Sequence, residues 1–133
     1  MGMYTEFHFN VELKEDVPQE VINILNFMLN KRAYLLPQLP DHPLFETCRW
    51  RIMLNMDSYY FAADTNSTLR YDDIGRCYYL NIRCNLKNYG NEIEKFINWI
   101  MPYIRAFKGD FLGFYRYEET EQPTLIFMKE QPK

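Results

Sequence analysis

A chain of 133 residues suits one domain, which at this size buries roughly two-thirds of its unfolded surface and needs no disulfide or metal staple. Apolar residues at 47% against 25% charged exclude a disordered chain, and the net charge of -3 with a pI near 5.4 argues against a nonspecific polyanion binder. A local basic patch survives that argument, because residues 31 to 116 hold twelve of the fifteen Lys and Arg but nine of the eighteen Asp and Glu.

Residues 4 to 13 alternate, with Phe7, Phe9, Val11 and Leu13 on one face and Glu6, His8, Asn10 and Glu12 on the other, as in a half-buried antiparallel strand. A helix follows, with Asp16 as its expected cap, Pro18 in the first turn, and a buried stripe of Val21, Ile24, Leu25 and Met28. Pro37, Pro40 and Pro43 make 31 to 47 a loop, since prolines at that density block both helix and central strand. Long ordered loops in small domains are often functional. Cys48 to Met56 alternates again, which predicts a strand with Cys48, Trp50, Ile52, Leu54 and Met56 inward and Arg49, Arg51, Met53 and Asn55 outward. Tyr59 to Ala63 and Leu69 to Asp72 read as short strands around the turn formers Asp64 to Ser67.

Cys77 to Leu86 places Tyr78, Leu80, Ile82 and Cys84 inward and Tyr79, Asn81, Arg83 and Asn85 outward. The second helix starts after Gly90 with Asn91 as expected cap and Glu94 closing a capping box; its stripe is Ile93, Phe96, Ile97, Ile100 and Ile104, and Pro102 ends or kinks it. Phe111 to Glu118 and Thr124 to Lys129 read as a terminal hairpin.

The chain also repeats itself. Phe7, Phe9, Val11, Leu13 and Lys14 match Leu80, Ile82, Cys84, Leu86 and Lys87 at a spacing of 73, and Glu20 to Leu29 matches Glu92 to Met101 at 72. This predicts one α+β domain over 1–133 with pseudo-repeat halves at about 4–73 and 77–129: an antiparallel sheet with two helices packed on one face. The order resembles the ferredoxin-like split βαβ fold with extra hairpin strands. The alternative is a paired βαβββ arrangement like that of the glyoxalase and bleomycin-resistance proteins.

The catalytic inventory is thin. Two serines, two histidines and five glycines form no nucleophile elbow, phosphate loop or His-Glu-x-x-His helix, so no catalytic residue, metal ligand set or cofactor is assigned. The coherent set is the outward sheet face: His8, Asn10, Arg49, Arg51, Asn55, Tyr79, Asn81, Arg83 and Asn85. Guanidinium groups grip carboxylates or phosphates bidentately and rings stack on planar partners. The expected function is therefore a non-enzymatic interaction protein that binds a protein partner, with self-association through the face or a strand edge as a second expectation. The alternatives are a small-ligand or metal-dependent enzyme of the paired βαβββ type and a single-stranded nucleic-acid binder, the latter opposed by the acidic pI. Cys48, Cys77 and Cys84 have no metal-ligand spacing and read as reduced thiols. Without a basic leader or a long apolar run at the start, a cytoplasmic protein with no membrane contact is expected. Abundant Asn, Ile, Tyr, Phe and Lys points to an AT-rich microbial or phage genome.

Overall fold

The computed structural model describes residues 3–29, 38–58, 61–62 and 64–131. Five strands, β1 (Thr5–Glu12), β2 (Thr68–Asp72), β3 (Cys77–Leu86), β4 (Phe111–Tyr117) and β5 (Thr124–Phe127), form one antiparallel sheet in the order β2-β3-β1-β4-β5. With α1 (Gln19–Met28) after β1 and α2 (Glu92–Ile100) after β3, the first four strands have the ferredoxin-like split βαβ order, and β5 is added at the β4 edge. The described residues form a single sheet, unlike the alternative paired βαβββ arrangement.

The alternation of β1 and β3 holds. Phe7, Phe9, Val11 and Leu13 join Leu80, Ile82, Cys84 and Leu86 in a core sealed by Val21, Ile24, Leu25 and Met28 of α1 and Ile93, Phe96, Ile97 and Ile100 of α2. Phe96 meets Phe7 and Phe9 edge-on, at centroid distances of 6.2 and 6.3 Å. Pro102 ends α2 as expected, through a 3-10 turn at Met101–Tyr103.

Two caps differ from expectation. Helix α1 begins after Pro18 with no side-chain cap, so Asp16 does not serve. At α2 the acceptor is Asn88, whose Oδ1 takes the Ile93 N–H at 2.9 Å; Asn91, in the left-handed region at φ 57°, caps nothing. The chain enters α2 through three left-handed residues, Asn88, Gly90 and Asn91, and this curl carries the amide of Asn88 back over the first turn.

The larger correction is the segment 48–56, which is turn and 3-10 helix (Met53–Asn55) and adds no strand to the sheet. Its buried residues are Trp50, Met53 and Leu54, spaced as on a helical turn, while Cys48 and Ile52 are exposed. Trp50 packs on Phe27 of α1 and on Phe45, and Phe45 on Trp99 of α2. The segment thus fills the gap between the helices, and the Asn55 amide donates to the Met28 carbonyl at 2.9 Å. This third piece of the helix layer has no counterpart in the second half of the chain. Of the expected strand at 59 to 63, residues 59, 60 and 63 lie outside the described residues, and 61–62 form a bend. The proline-rich loop is described from residue 38 onward and contains a 3-10 turn at Pro43–Glu46, where the Leu44 N–H donates to His42 Nδ1.

Candidate functional site

Because both helices and the 48–56 segment cover one side of the sheet, the other side is left for contact. Register assigns its residues: His8 stands between Arg83 and Phe114, Glu6 between Asn85 and Arg116, Asn10 opposite Asn81, and Tyr79 between Glu12 and Arg70. Directly opposed residues of an antiparallel pair share a face.

Of the residues expected here, His8, Asn10, Tyr79, Asn81 and Arg83 are brought together. Arg49 and Arg51 are not, because their segment is no strand. The Arg49 guanidinium lies 4.9 Å from the Tyr89 ring near the start of α2, and Arg51 lies 5.6 Å from the Trp50 ring. Asn85 shares the outward parity but is buried, at a corner where Met56, Phe61 and Asn66 contact the sheet. There the Asn85 N–H donates to the Met56 carbonyl, the Asn66 N–H to the Arg83 carbonyl, and Phe61 sits 5.3 Å from the Arg116 guanidinium.

The face divides in two. On β3, β1 and β2 it is polar: Asn10 and Asn81 face each other with no side-chain hydrogen bond among the described residues, and the Arg70 guanidinium lies 4.7 Å over the Tyr79 ring. The Tyr79 phenol is held above its ordinary pKa chiefly by a hydrogen bond with Cys77, with the nearby Glu12 and Asp72 carboxylates and partial desolvation acting in the same direction. Three carboxylates border this half and each is engaged. Glu6 meets His8 at 3.0 Å and Arg116 at 2.8 Å, Glu12 meets Arg105 at 3.2 Å, and Asp72 accepts the Ile74 amide. Arg70 and Arg83 therefore face the opening without a carboxylate partner among the described residues, Arg83 being steadied by its Nε bond to the Asp64 carbonyl at 2.7 Å.

On β4 and β5, Arg116 apart, the face is apolar. The His8 ring stacks on Phe114 at 4.6 Å and 13°, Phe114 stands opposite Leu125, and Phe111 pairs with Phe127 at 5.7 Å. Phe111 is 57% exposed, and Leu125 and Phe127 are about half exposed. Single exposed apolar residues are ordinary, but a contiguous set marks a contact surface. Strand alternation could have nominated these rings. The bulge between Phe111 and Gly113, which shifts the faces within β4, is invisible to it. Arg70 and Arg116 were missed for a different reason, since their place on the face depends on pairing partners far away in the chain.

Among the described residues no three His, Cys, Asp or Glu side chains converge as a metal site would need. No helix among them is long and apolar enough to cross a membrane. No protein-family model, curated protein or solved structure matches the chain.

Proposed function

We infer that the protein is a non-enzymatic binding module whose uncovered sheet face docks a protein partner, with carboxylates of the partner meeting Arg70 and Arg83 and its apolar side chains meeting Phe111, Phe114 and Leu125. The observation that carries this reading is the pairing of two guanidinium groups that have no carboxylate partner among the described residues with an exposed aromatic cluster on one rigid surface. Interfaces are enriched in this combination of Arg and aromatic residues, and backbone pairing on both sides of β1 holds it pre-organised. The three free cysteines, two of them buried, fit a reducing cytoplasmic setting.

The test is photo-crosslinking in the native host from a reactive residue placed at Arg70 or Leu125, with Glu20 on the exposed side of α1 as control. One common adduct from both face positions and none from Glu20 supports docking. Adducts that do not distinguish the face from the control refute it.

A second reading, single-stranded nucleic acid, draws on the Arg70–Tyr79 and His8–Phe114 stacks, onto which bases could be added as further layers. It requires oligonucleotide binding that weakens steeply with salt and a smaller salt slope in Arg83→Ala. Absence of binding at low salt removes it.

A further inference from the structure

Strand β5 ends the sheet, and among the described residues no strand lies along its outer edge. Edge strands are normally guarded by charge, proline or a bulge. Thr124-Leu125-Ile126-Phe127 contains neither charge nor proline, and the bulge opposite it lies in β4. The alternation of an antiparallel strand shows which backbone groups are left over. Met128 bonds inward, its N–H donating to the Asp110 carbonyl at 2.8 Å and its own carbonyl accepting from the Gly109 N–H at 2.9 Å. Inward and outward residues alternate, so Ile126 and Thr124 also turn toward β4, while Leu125 and Phe127 direct N–H and C=O outward. The same two residues carry large apolar side chains that are 51% and 45% exposed on the uncovered face.

We propose that a second copy of the chain docks on this edge, β5 against β5 in antiparallel fashion, about a two-fold axis beside Ile126. In this register Leu125 stands opposite the partner's Phe127, and Phe127 opposite the partner's Leu125. Each such pair exchanges two backbone hydrogen bonds and covers two exposed apolar side chains with each other. A two-fold interface must be self-complementary, and this register satisfies that condition with the residues whose backbone groups are unused.

On the helix side, Ile126 meets the partner's Ile126 above a cleft of about 280 Å³ between α2 and β5, bordered by Ile97 and Asn98, which has room for the incoming side chains. Charge does not oppose the arrangement, because Thr124–Phe127 carries none on either copy. The contact is short, so the dimer is reversible rather than obligate. It joins two sheets edge to edge, covering Leu125 and Phe127 at the margin of the uncovered face while leaving Arg70, Arg83 and Phe114 open, and its test reads self-association alone, so failure of partner docking leaves it standing.

Sedimentation equilibrium of the full chain across the micromolar range should show a monomer–dimer equilibrium. Leu125→Lys and Phe127→Glu, both at exposed positions, should each sediment as monomers. An equimolar mixture of the two variants should regain dimer, because the introduced ammonium then faces the introduced carboxylate across the axis. Independently of any variant, the Leu125 and Phe127 amides of the wild type should exchange with solvent more slowly as protein concentration rises. A wild type that stays monomeric, single variants that still dimerise, a mixture that fails to regain dimer, or exchange at these amides that ignores concentration would each overturn the proposal.

Discussion

Replacing Gly113 with alanine probes how β4 joins the sheet. Gly113 stands opposite Phe9 at the end of the β1–β4 ladder, where the chain bulges; farther along the same edge of β1, Leu13 bridges Ile104 and the Glu12 carbonyl accepts from Arg105 N–H. A methyl group on Gly113 would run into the His8 carbonyl oxygen and lie 2.9 Å from both the His8 carbonyl carbon and Phe9 Cα. These are backbone atoms of a central strand tied along its other edge to β3, from Thr5↔Leu86 to Glu12↔Tyr79, so they cannot retreat. It is β4 that must move. Overpacking costs about 1–3 kcal/mol, and losing one ladder hydrogen bond adds about 0.5–1.5 kcal/mol, so Gly113→Ala should lose about 1.5–4.5 kcal/mol. That is a large part of the roughly 5–15 kcal/mol that holds a domain of this kind together. Urea unfolding followed by Trp50 and Trp99 fluorescence measures the difference. A loss below about 0.5 kcal/mol with an unchanged urea slope would place Gly113 among indifferent surface positions and refute this account of the junction.

Glu92 gives a pH prediction. It is fully buried at the start of α2, and neither carboxylate oxygen has a hydrogen-bond partner among the described residues; burial raises its pKa, and nearby Arg49 and the Asn88 backbone offset this only in part. A raised carboxyl pKa means that the unfolded chain ionises first, so stability is fullest below the ordinary carboxylate range and falls as pH climbs through the folded-state value. Glu92→Gln, which stays neutral at every pH, should therefore gain in stability over wild type as pH rises toward neutral, with the difference fading toward pH ~4. Thermal unfolding across that range measures it, and a constant difference at every pH would show that ionisation is not the cause. At the same helix start, Asn88→Ala should cost about 1 kcal/mol as a lost cap, whereas Asn91→Gly should cost nothing or stabilise, because Asn91 holds a left-handed φ without capping. Denaturant melts of the two variants that rank them the other way round would return the cap to Asn91.

Much of the architecture was legible from local periodicity. The alternation of β1 and β3, the helical stripes of α1 and α2 and the terminal hairpin all appear where side-chain spacing puts them, because each element buries one face against a single large core. The stretch 48–56 misled for a physical reason. Trp50, Met53 and Leu54 satisfy a helical turn, yet their neighbours also alternate, and only the gap between Phe27, Phe45 and Trp99 decides which pattern is used. Arg49 and Arg51 consequently left the face on which sequence had placed them.

For the candidate site, the chain by itself nominated His8, Asn10, Tyr79, Asn81 and Arg83, since parity along one strand is a local property. It could not say that Arg70 and Arg116 join them, that Met56 and Asn66 hydrogen-bond to the β3 backbone at Asn85 and Arg83, or that a bulge turns Phe111 and Phe127 together. Those facts depend on which strands pair and in what register. Pairing is settled by contacts between residues tens of positions apart, and so only the folded chain decides it.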